Sequence, residues 1–320
     1  MERLYKVGIV IPAFNVERYI GECIDSILRQ TYPNIVMAIV NDGSSDNTWK
    51  VIQKYMEHNP FVIRGIATDN KGFMQARLTC INLLEDCNYI LFVDADDYLL
   101  DENIIEKCVE HMECADMVCF NMKNRNKNCF KSKGIRHMNS KEALWNMLNQ
   151  QYMDGNICAG MYRYKYVKER FKVLACNNDD YINKASFIDA CEKITVIPDV
   201  GYYYRVNSES QTHRKIKESD YMYYDHVCAF CRDIRKRYTE GFKNETEYFE
   251  SIVLLWLVTG MHKDKESKRL NIYEPAMAEF SKRTRIYLAN RYFTVKDRIT
   301  YICIRLNIFR ILYKMYHKLC

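Results

Sequence analysis

Three carboxylates follow one apolar run in the first third of the chain, and they are the residues best suited to chemistry. Residues 89–93 read Tyr-Ile-Leu-Phe-Val, and Asp94, Asp96 and Asp97 follow within four positions. An unbroken apolar run predicts a strand buried on both faces of a parallel sheet, whose carboxyl end is where open α/β sheets bind ligands. Carboxylates this close repel one another unless a cation neutralises them, and hard oxygen ligands favour Mg²⁺ or Mn²⁺ over zinc. The cluster therefore indicates a divalent metal site; the alternative is an acidic helix start in which Asp97 caps a helix near Asn103.

Polar loops follow three other strand patterns, and all would lie at the same edge of the sheet. The first is Phe14-Asn15, and the second contains Asp42, which can accept hydrogen bonds from a pyrimidine imide or a ribose. A third loop carries Lys71 and leads to Arg77, and both cations could meet phosphate charge. Taken singly, each loop is equally compatible with an ordinary turn, a helix cap or solvated side chains. Their convergence beside the acid cluster favours a ligand site.

A regular alternation of strand and helix patterns supplies the sheet that would position these groups. Repeated strand, helix, strand units imply parallel strands joined by right-handed crossovers. The predicted strands are Val7–Ile11, Ile35–Val40, Val62–Ala67, Tyr89–Val93 and Met117–Phe120, and the predicted helices between them are Glu17–Gln30, Asp46–Glu57 and Phe73–Leu84.

After Asn121 the alternation becomes irregular. Residues 123–133 are polar and basic, which indicates a loop or hairpin, and a helix is predicted over residues 140–147. Two short strands are expected at 194–197 and 200–204, and beyond Ser219 the pattern is helical to the end. We expect a domain boundary near Arg214.

Composition limits the class of protein. At 320 residues the chain can bury a sizeable core, expected as one domain of about 200 to 250 residues plus an appendage. Fourteen cysteines and no apolar leader predict free, buried thiols in a reducing cytoplasm. Cys228 and Cys231 form one C-x-x-C, but a four-cysteine zinc site needs a second pair. The longest apolar stretch, residues 252–258, is far shorter than the roughly 20 residues that span a bilayer.

The net charge of +6 is concentrated in the last 25 residues. There the apolar residues recur at helical spacing among basic ones, which is typical of helices on anionic membrane surfaces and equally of a terminal helix packed on the body. The apolar positions are Ile299, Ile302, Leu306, Phe309 and Tyr313.

The segment from Val7 through Leu99 resembles the nucleotide-binding half of the inverting family 2 glycosyltransferases of bacterial surface-polysaccharide type. Five motifs occur in the family's order: I-P-A-F-N-V-E-R-Y-I, V-N-D-G-S-S-D-N-T, D-N-K-G, A-R and F-V-D-A-D-D. Farther on, C-N-N-D-D-Y at 176–181 resembles the family's acidic pair, and residues 200–208 resemble its aromatic, arginine and serine strand. The resemblance covers about residues 5 to 214.

The resemblance implies an α/β fold of the GT-A type, a Rossmann-like nucleotide-binding mixed sheet flanked by helices, with a mainly helical C-terminal extension. The GT-A domain would span residues 1–214, divided into a nucleotide-sugar half (1–121) and an acceptor half (122–214), and the helical region with its basic tail would span 215–320. The implied activity is inverting transfer from a nucleotide-diphosphate sugar, with a uracil base, to a saccharide or lipid-linked acceptor in polysaccharide synthesis.

The resemblance also implies roles for individual residues and a cofactor, Mn²⁺ or Mg²⁺. No nucleic-acid partner is expected, and the protein would be cytoplasmic or peripheral on the inner face of the membrane. The donor-binding residues would be Pro12, Phe14, Asn15, Asp42, Asn70, Lys71, Arg77, Asp94 and Ala95; Asp96 or Asp97 would hold the metal; and Asp180 would be the general base.

Three positions depart from the family pattern. Asn41 replaces the usual first carboxylate of the D-D-G-S turn, Leu78 follows the A-R pair in place of asparagine, and Asp179 replaces a glutamate. A tryptophan common before the acceptor region is also replaced within residues 155–162, which bears on acceptor choice. His213 lies in a polar loop and is left out of the catalytic set.

Two other classes of protein remain as alternatives. A haloacid dehalogenase-type phosphatase also uses a D-x-D at a strand end and a later acidic pair, but that fold carries its nucleophile on an early strand, and it leaves the turn at Asp42 unexplained. A non-catalytic relative that binds nucleotide as an assembly partner is the second. Release of a nucleoside diphosphate rather than inorganic phosphate separates the two enzyme classes.

Overall fold

The computed structural model describes residues 4–124, 128–129, 132–174, 180–206, 215–238, 241–263, 266–310 and 313. Among these, the residues up to 174 and from 180 to 206 form one compact unit, and those from 215 onward form a second. The predicted boundary at Arg214 and the residues Asp179 and His213 lie outside the described part of the chain. The division into domains therefore stays a prediction.

The first unit is built on one mixed sheet with the strand order β3-β2-β1-β4-β9-β6-β10-β5, and β7 and β8 pair with β6 and β10. The strands are β1 Val7–Ala13, β2 Ile35–Asp42, β3 Ile63–Thr68, β4 Tyr89–Phe92, β5 Tyr98–Leu99, β6 Met117–Asn124, β7 Asn128–Cys129, β8 Arg136–Met138, β9 Gly160–Arg163 and β10 Ile194–Tyr204. The helices of this unit are α1 Ile20–Leu28, α2 Thr48–His58, α3 Phe73–Asn82, α4 Ile104–Met112, α5 Ser140–Leu148, α6 Tyr164–Arg170 and α7 Asp180–Ala190.

The half of the sheet made by β1 to β4 agrees with the predicted repeats. These four strands are parallel to one another, and every residue of β1 and β4 is buried, as apolar runs between two helical layers require. Helix α1 begins three residues later than predicted, because residues 15–17 bond to the loop after β2 instead. Helix α2 begins at Thr48, whose amide donates to the carboxylate of Asp46.

The other half of the sheet contains a strand that the sequence pattern did not indicate. Strand β9 lies antiparallel between β4 and β6, so the predicted fifth strand, β6, does not adjoin β4. The two short strands expected at 194–204 are one strand, β10, whose pairing with β6 shifts register between Val196 and Val200. Pro198 lies inside that shift, where a residue without an amide proton can be accommodated.

The second unit is helical, as predicted. Its helices are α8 Ser219–Arg237, α9 Lys243–Lys263, α10 Tyr273–Lys282, α11 Thr284–Ala289 and α12 Val295–Arg305, with a short 3₁₀ turn at Ser267–Arg269. The aromatic rings of Phe280, Tyr287 and Tyr301 pack together in its core, with centroids 4.5 to 5.0 Å apart. No helix in the described part of the chain combines the length and the apolar character needed to cross a lipid bilayer.

The cysteines whose side chains the structure describes are free thiols, and all of these except Cys114 and Cys228 are buried. This agrees with the expectation from the sequence for these residues. Cys228 and Cys231 lie one turn apart on α8.

Candidate active site

The loops after β1 and β2 are fastened to each other at the carboxyl edge of the sheet. Asn15 adopts a left-handed backbone (φ 52°), and its amide donates to Ser44 Oγ at 3.0 Å. The Asn15 side-chain oxygen accepts from the amide of Ser45 at 2.8 Å. Left-handed backbone is more readily adopted by asparagine than by most residues, so the type of residue at position 15 fits its place in the loop.

Asp42 joins the second loop to the third. Its carboxylate oxygens accept from the backbone amides of Lys71 at 2.8 Å and Gly72 at 2.9 Å. Gly43 (φ 71°) permits this approach, since a Cβ there would lie 2.7 Å from the amide nitrogen of Asn70. A carboxylate has about four acceptor sites, so Asp42 retains capacity for a ligand while it holds the loop in place.

The three carboxylates after β4 have different surroundings. Asp97 is 1% exposed, and its oxygens accept from the hydroxyl of Tyr202 and the amide of Arg205, both at 2.7 Å. Burial, reinforced by the nearby charges of Asp94 and Asp96, raises the pKa of Asp97 to about 8. Asp97 does not cap α4, which is preceded by Asn103. Its carboxylate is turned into the protein, so the geometry favours Asp96 over Asp97 as the residue for a metal.

Arg205, at the end of β10, fixes the backbone of the acid cluster. Its amide binds Asp97, its Nε donates to the backbone oxygen of Asp96 at 2.8 Å, and its Nη2 pairs with Glu22 at 2.6 Å. The guanidinium also lies over the ring of Tyr19, 4.9 Å from its centroid. This arginine belongs to the segment 200–208, which the family resemblance also includes, and it holds the Asp94–Asp97 turn in place.

Arg77 on α3 connects the acid cluster to α7. The side chain is 1% exposed, and its Nη2 binds Asp94 at 2.6 Å while its Nη1 binds Oδ1 of Asp180. Phe73 covers the guanidinium, 5.1 Å from the ring centroid. Its Nε, in the described part of the chain, has no hydrogen-bond partner. Arg77 is therefore not a solvated surface residue. It bridges Asp94 and Asp180, two carboxylates that the resemblance assigns to the donor side and the acceptor side.

Asp180 begins helix α7 and is 28% exposed. Burial raises the pKa of Asp180 above its ordinary value, although the positive charges of Arg77 and Lys184 oppose the effect. Lys184, one turn along α7, is buried and donates to the backbone oxygen of Asn156 at 2.8 Å. The residue after the acid, Tyr181, packs against Gly155, where a Cβ would lie 1.9 Å from the ring. The segment before β9 thus supports the start of α7.

The edge of the sheet supplies oxygen ligands of the kind that a hard divalent cation prefers. Asp96 is partly exposed beside the partly exposed Asp94. Among the described residues, no three His, Cys, Asp or Glu side chains are arranged as a complete metal site.

Most of the predicted donor residues lie around this edge. Pro12 is buried one residue before the end of β1, Ala95 is buried within the acid turn, and Phe14 is 46% exposed. Asn70 and Lys71 form the loop held by Asp42. The functional roles of these residues stay predictions.

Three residues that contact the site, the buried Tyr202 and Lys184 and the partly exposed Arg205, were not among the predicted site residues. Tyr202 accepts from the amide of Asp94 at 3.1 Å and donates to Asp97, Arg205 clamps the turn, and Lys184 lies beside Asp180. Tyr202 and Arg205 belong to a motif already noted in the sequence, whereas nothing local distinguishes Lys184 from an ordinary helical lysine.

Comparison with known proteins finds relatives among the glycosyltransferases. The sequence model of glycosyl transferase family 2 matches residues 8–171. Glycosyltransferase GlyG of Streptococcus pneumoniae is 30% identical over 219 residues, which cover 64% of this chain and 72% of GlyG. Glycosyltransferase GlyA of the same organism is 37% identical over 109 residues, covering 33% of this chain and 15% of GlyA. This chain therefore matches only a small part of some of its relatives.

Solved structures extend the likeness to nearly the whole chain. The structure of residues 1–349 of Staphylococcus aureus TarS in complex with UDP-GlcNAc superposes with a TM-score of 0.63 at 17% identity, covering 98% of this chain and 92% of that one. The mannosyltransferase PcManGT from Pyrobaculum calidifontis, in complex with GDP-Man and Mn²⁺, gives a TM-score of 0.56 at 14% identity, covering 96% and 88%. The fold is GT-A. Because the family model matches over half of this chain, the chain belongs to glycosyl transferase family 2.

Proposed function

We propose that this protein transfers a sugar from a uridine-diphosphate sugar to a saccharide acceptor with inversion at the anomeric carbon. The observation that carries the proposal is the bridge of Asp94, Arg77 and Asp180, which joins the expected donor side to the expected base. Single displacement needs a base on one face of the anomeric carbon and charge stabilisation of the leaving diphosphate on the other. The comparisons give no support to the phosphatase alternative.

Asp180 accepts the proton of the acceptor hydroxyl in this proposal. Arg77 contacts Oδ1 of Asp180, and the second oxygen is then the one that takes the proton. A raised pKa makes this carboxylate a stronger base than a solvated aspartate, provided that it is ionised at the working pH. Arg77 is a positioning residue, since it holds both Asp94 and Asp180 from a buried place in α3.

Asp96 would hold Mn²⁺ or Mg²⁺, which supplies charge stabilisation to the leaving diphosphate when bound. Asp42, Asn70 and Lys71 form the rim that would receive the nucleobase, and Asp94 would approach the ribose. The pairing of Asp42 with two backbone amides orients its carboxylate before any ligand arrives.

Titration calorimetry of the full chain with UDP, GDP and CMP tests the donor side. We expect UDP to bind in the presence of Mn²⁺, with GDP and CMP much weaker, and we expect the affinity to fall on chelation because the cation neutralises the diphosphate. UDP-sugars that bind are then screened for release of UDP with and without saccharide acceptors. Absence of nucleotide binding, or release of inorganic phosphate in place of UDP, would reject the proposal.

The acceptor is proposed to be a growing, lipid-linked saccharide at the inner face of the cytoplasmic membrane. Helix α12 supports this, because Val295, Ile299, Ile302 and Leu306 recur on one side and are 73, 55, 43 and 63% exposed. On the other side Tyr301 and Ile304 are buried. Within α12 one face packs in the helical unit and the other faces solvent, so a membrane contact through the exposed face stays a prediction. Basic residues flank the exposed stripe at Lys296, Arg298 and Arg305, which fits an anionic lipid surface.

Vesicle co-sedimentation tests this contact. Replacing Ile299, Ile302 and Leu306 with asparagine should abolish binding to phosphatidylglycerol vesicles, whereas Phe61→Asn, at a side chain 95% exposed in the first unit, should not. Deleting residues 295–320 is a poorer test, since it removes buried Tyr301. Equal sedimentation of the triple variant and the wild type would exclude this helix as the membrane contact.

A further inference from the structure

The helical unit contains a cavity of about 560 Å³, which is within the range of small-molecule sites. It lies among the end of α8, the start of α9, and α10 with α11, and it belongs wholly to the second unit. Its lining is mainly charged and aromatic, and it includes Arg235, Tyr238, Lys243, Glu247, Glu250 and Arg283.

The floor of the cavity is an ion triad of two partly exposed arginines around one buried carboxylate, with more donors than acceptors. Glu250 is 5% exposed, and its oxygens accept from Arg235 at 2.7 Å and Arg283 at 3.0 Å. Two guanidinium groups therefore face one carboxylate. Nη1 of Arg235 and Nε of Arg283 are buried and, in the described part of the chain, have no hydrogen-bond partner. A buried donor without a partner costs free energy. The described residues of the floor therefore leave hydrogen-bond donors that a ligand could satisfy.

The walls differ from the floor in chemistry. The ring of Tyr238 packs against that of Phe242, with centroids 4.9 Å apart. An aromatic face can cover the apolar side of a sugar ring. Lys243 and Glu247 lie at the rim on the first turns of α9. A carboxylate accepts hydroxyl hydrogen bonds and an ammonium donates them, which suits a polyhydroxylated ligand.

We propose that this cavity binds an anionic saccharide, with its phosphate or carboxylate against Arg235 and Arg283 and its ring against Tyr238. Guanidinium groups recognise both anions through paired N–H donors, so the floor selects for charge and the walls for the sugar. The cavity shares no residue with the site at the sheet edge.

Binding to the full chain is measured by calorimetry with glucose 6-phosphate, glucuronate and neutral glucose. Saturating UDP and Mn²⁺ are present in every titration to occupy the sheet edge. We expect at least one charged probe to bind and glucose to bind at least about tenfold more weakly, since charge-assisted bonds are the strong ones. The charged probe that binds identifies the anion as phosphate or carboxylate.

The matched variants are Arg235→Met, which removes one floor cation, and Arg232→Met, which removes an exposed arginine of the same helix outside the cavity. Glu250 keeps Arg283 in Arg235→Met, and Lys243→Met at the exposed rim serves if that variant fails to fold. We expect Arg235→Met or Lys243→Met to weaken the charged probe about tenfold or more, Arg235→Lys to restore part of the loss, and Arg232→Met to bind as the wild type. The proposal would be overturned by equal affinity for glucose and the charged probes, or by no binding of either charged probe. It would also be overturned if Arg232→Met weakened the charged probe as much as Arg235→Met does. UDP affinity, measured separately, reports on the donor site alone, so failure of one proposal is distinguishable from failure of the other.

Discussion

Replacement of Arg77 tests whether one buried cation couples the two sides of the proposed reaction. The guanidinium holds Asp94 with one nitrogen and Asp180 with another. Arg77→Met removes the charge, and Arg77→Lys keeps the charge but cannot bridge two carboxylates with a single ammonium in the same geometry. Both variants are therefore expected to lose activity, with the lysine variant retaining more stability.

The size of the effect follows from the contact with Asp180. Opposite charges about 4 Å apart attract by about 4 kcal/mol at an effective dielectric constant of about 20, which equals about 3 pKa units. Because Asp180 is 28% exposed, solvent reduces this to about 1 to 2 units. Arg77 favours the ionised carboxylate, so its removal raises the pKa of Asp180 further. The base works only when ionised, and the acid limb of the kcat profile should therefore move to higher pH by about 1 to 2 units.

The assay is UDP release from the UDP-sugar found by screening, recorded from about pH 5 to 9, with thermal unfolding at each pH. Arg77→Met should also lower the free energy of unfolding by up to about 3 to 5 kcal/mol, since it leaves two carboxylates without their shared partner. Arg64→Met is the matched control, because Arg64 pairs with Asp86 on the same sheet away from this edge. A folded Arg77→Met protein with the kcat and acid limb of the wild type would refute the coupling.

Three further substitutions separate the roles within the site. Asp180→Asn should abolish transfer while UDP binds with unchanged affinity in calorimetry, because the base is lost and Asp96 is untouched; transfer at the normal rate would place the base elsewhere. Asp96→Asn should lose Mn²⁺-dependent UDP binding, whereas Asp97→Asn should keep it. The free energy of unfolding of Asp97→Asn should be lower by about 1 to 3 kcal/mol, since one of two buried acceptors is replaced. The reverse pattern would make Asp97 the metal ligand. Gly155→Ala should lower kcat without changing UDP affinity, because the added methyl group displaces Tyr181 beside Asp180; a wild-type kcat would show that this packing does not position the base.

The parallel half of the sheet was predictable from the sequence because its signals are local. Each of β1, β2 and β4 is a run of apolar residues long enough to be recognised alone, and each is buried in the sheet. Turns rich in Asp, Asn and Gly follow these runs, so the polar edge could be located before its contacts were known. The start of α1 was placed too early, since Glu17 is helical in propensity but bonds to Asn47 in the adjoining loop.

Strand β9 could not be predicted because its conformation is set by its neighbours. Its four residues, Gly160–Arg163, have neither a long apolar run nor clear alternation. They become a strand by pairing with β4, more than 70 positions earlier, and with β6. Such tertiary pairing overrides weak local preference, and it places the residues before β9 beneath α7.

The roles of the single side chains in the acid cluster could not be predicted from the local sequence either. Asp94, Asp96 and Asp97 are chemically identical, and the spacing D-A-D-D marks the turn without assigning its members. The assignment comes from residues far along the chain: Tyr202, 105 positions away, takes Asp97 into the interior, while Arg77 holds Asp94 at the edge. Because Asp97 is buried and Asp96 is partly exposed, we propose that Asp96 would bind the cation. The local motif therefore predicts that a metal binds here, and the distant partners decide which carboxylate would bind it.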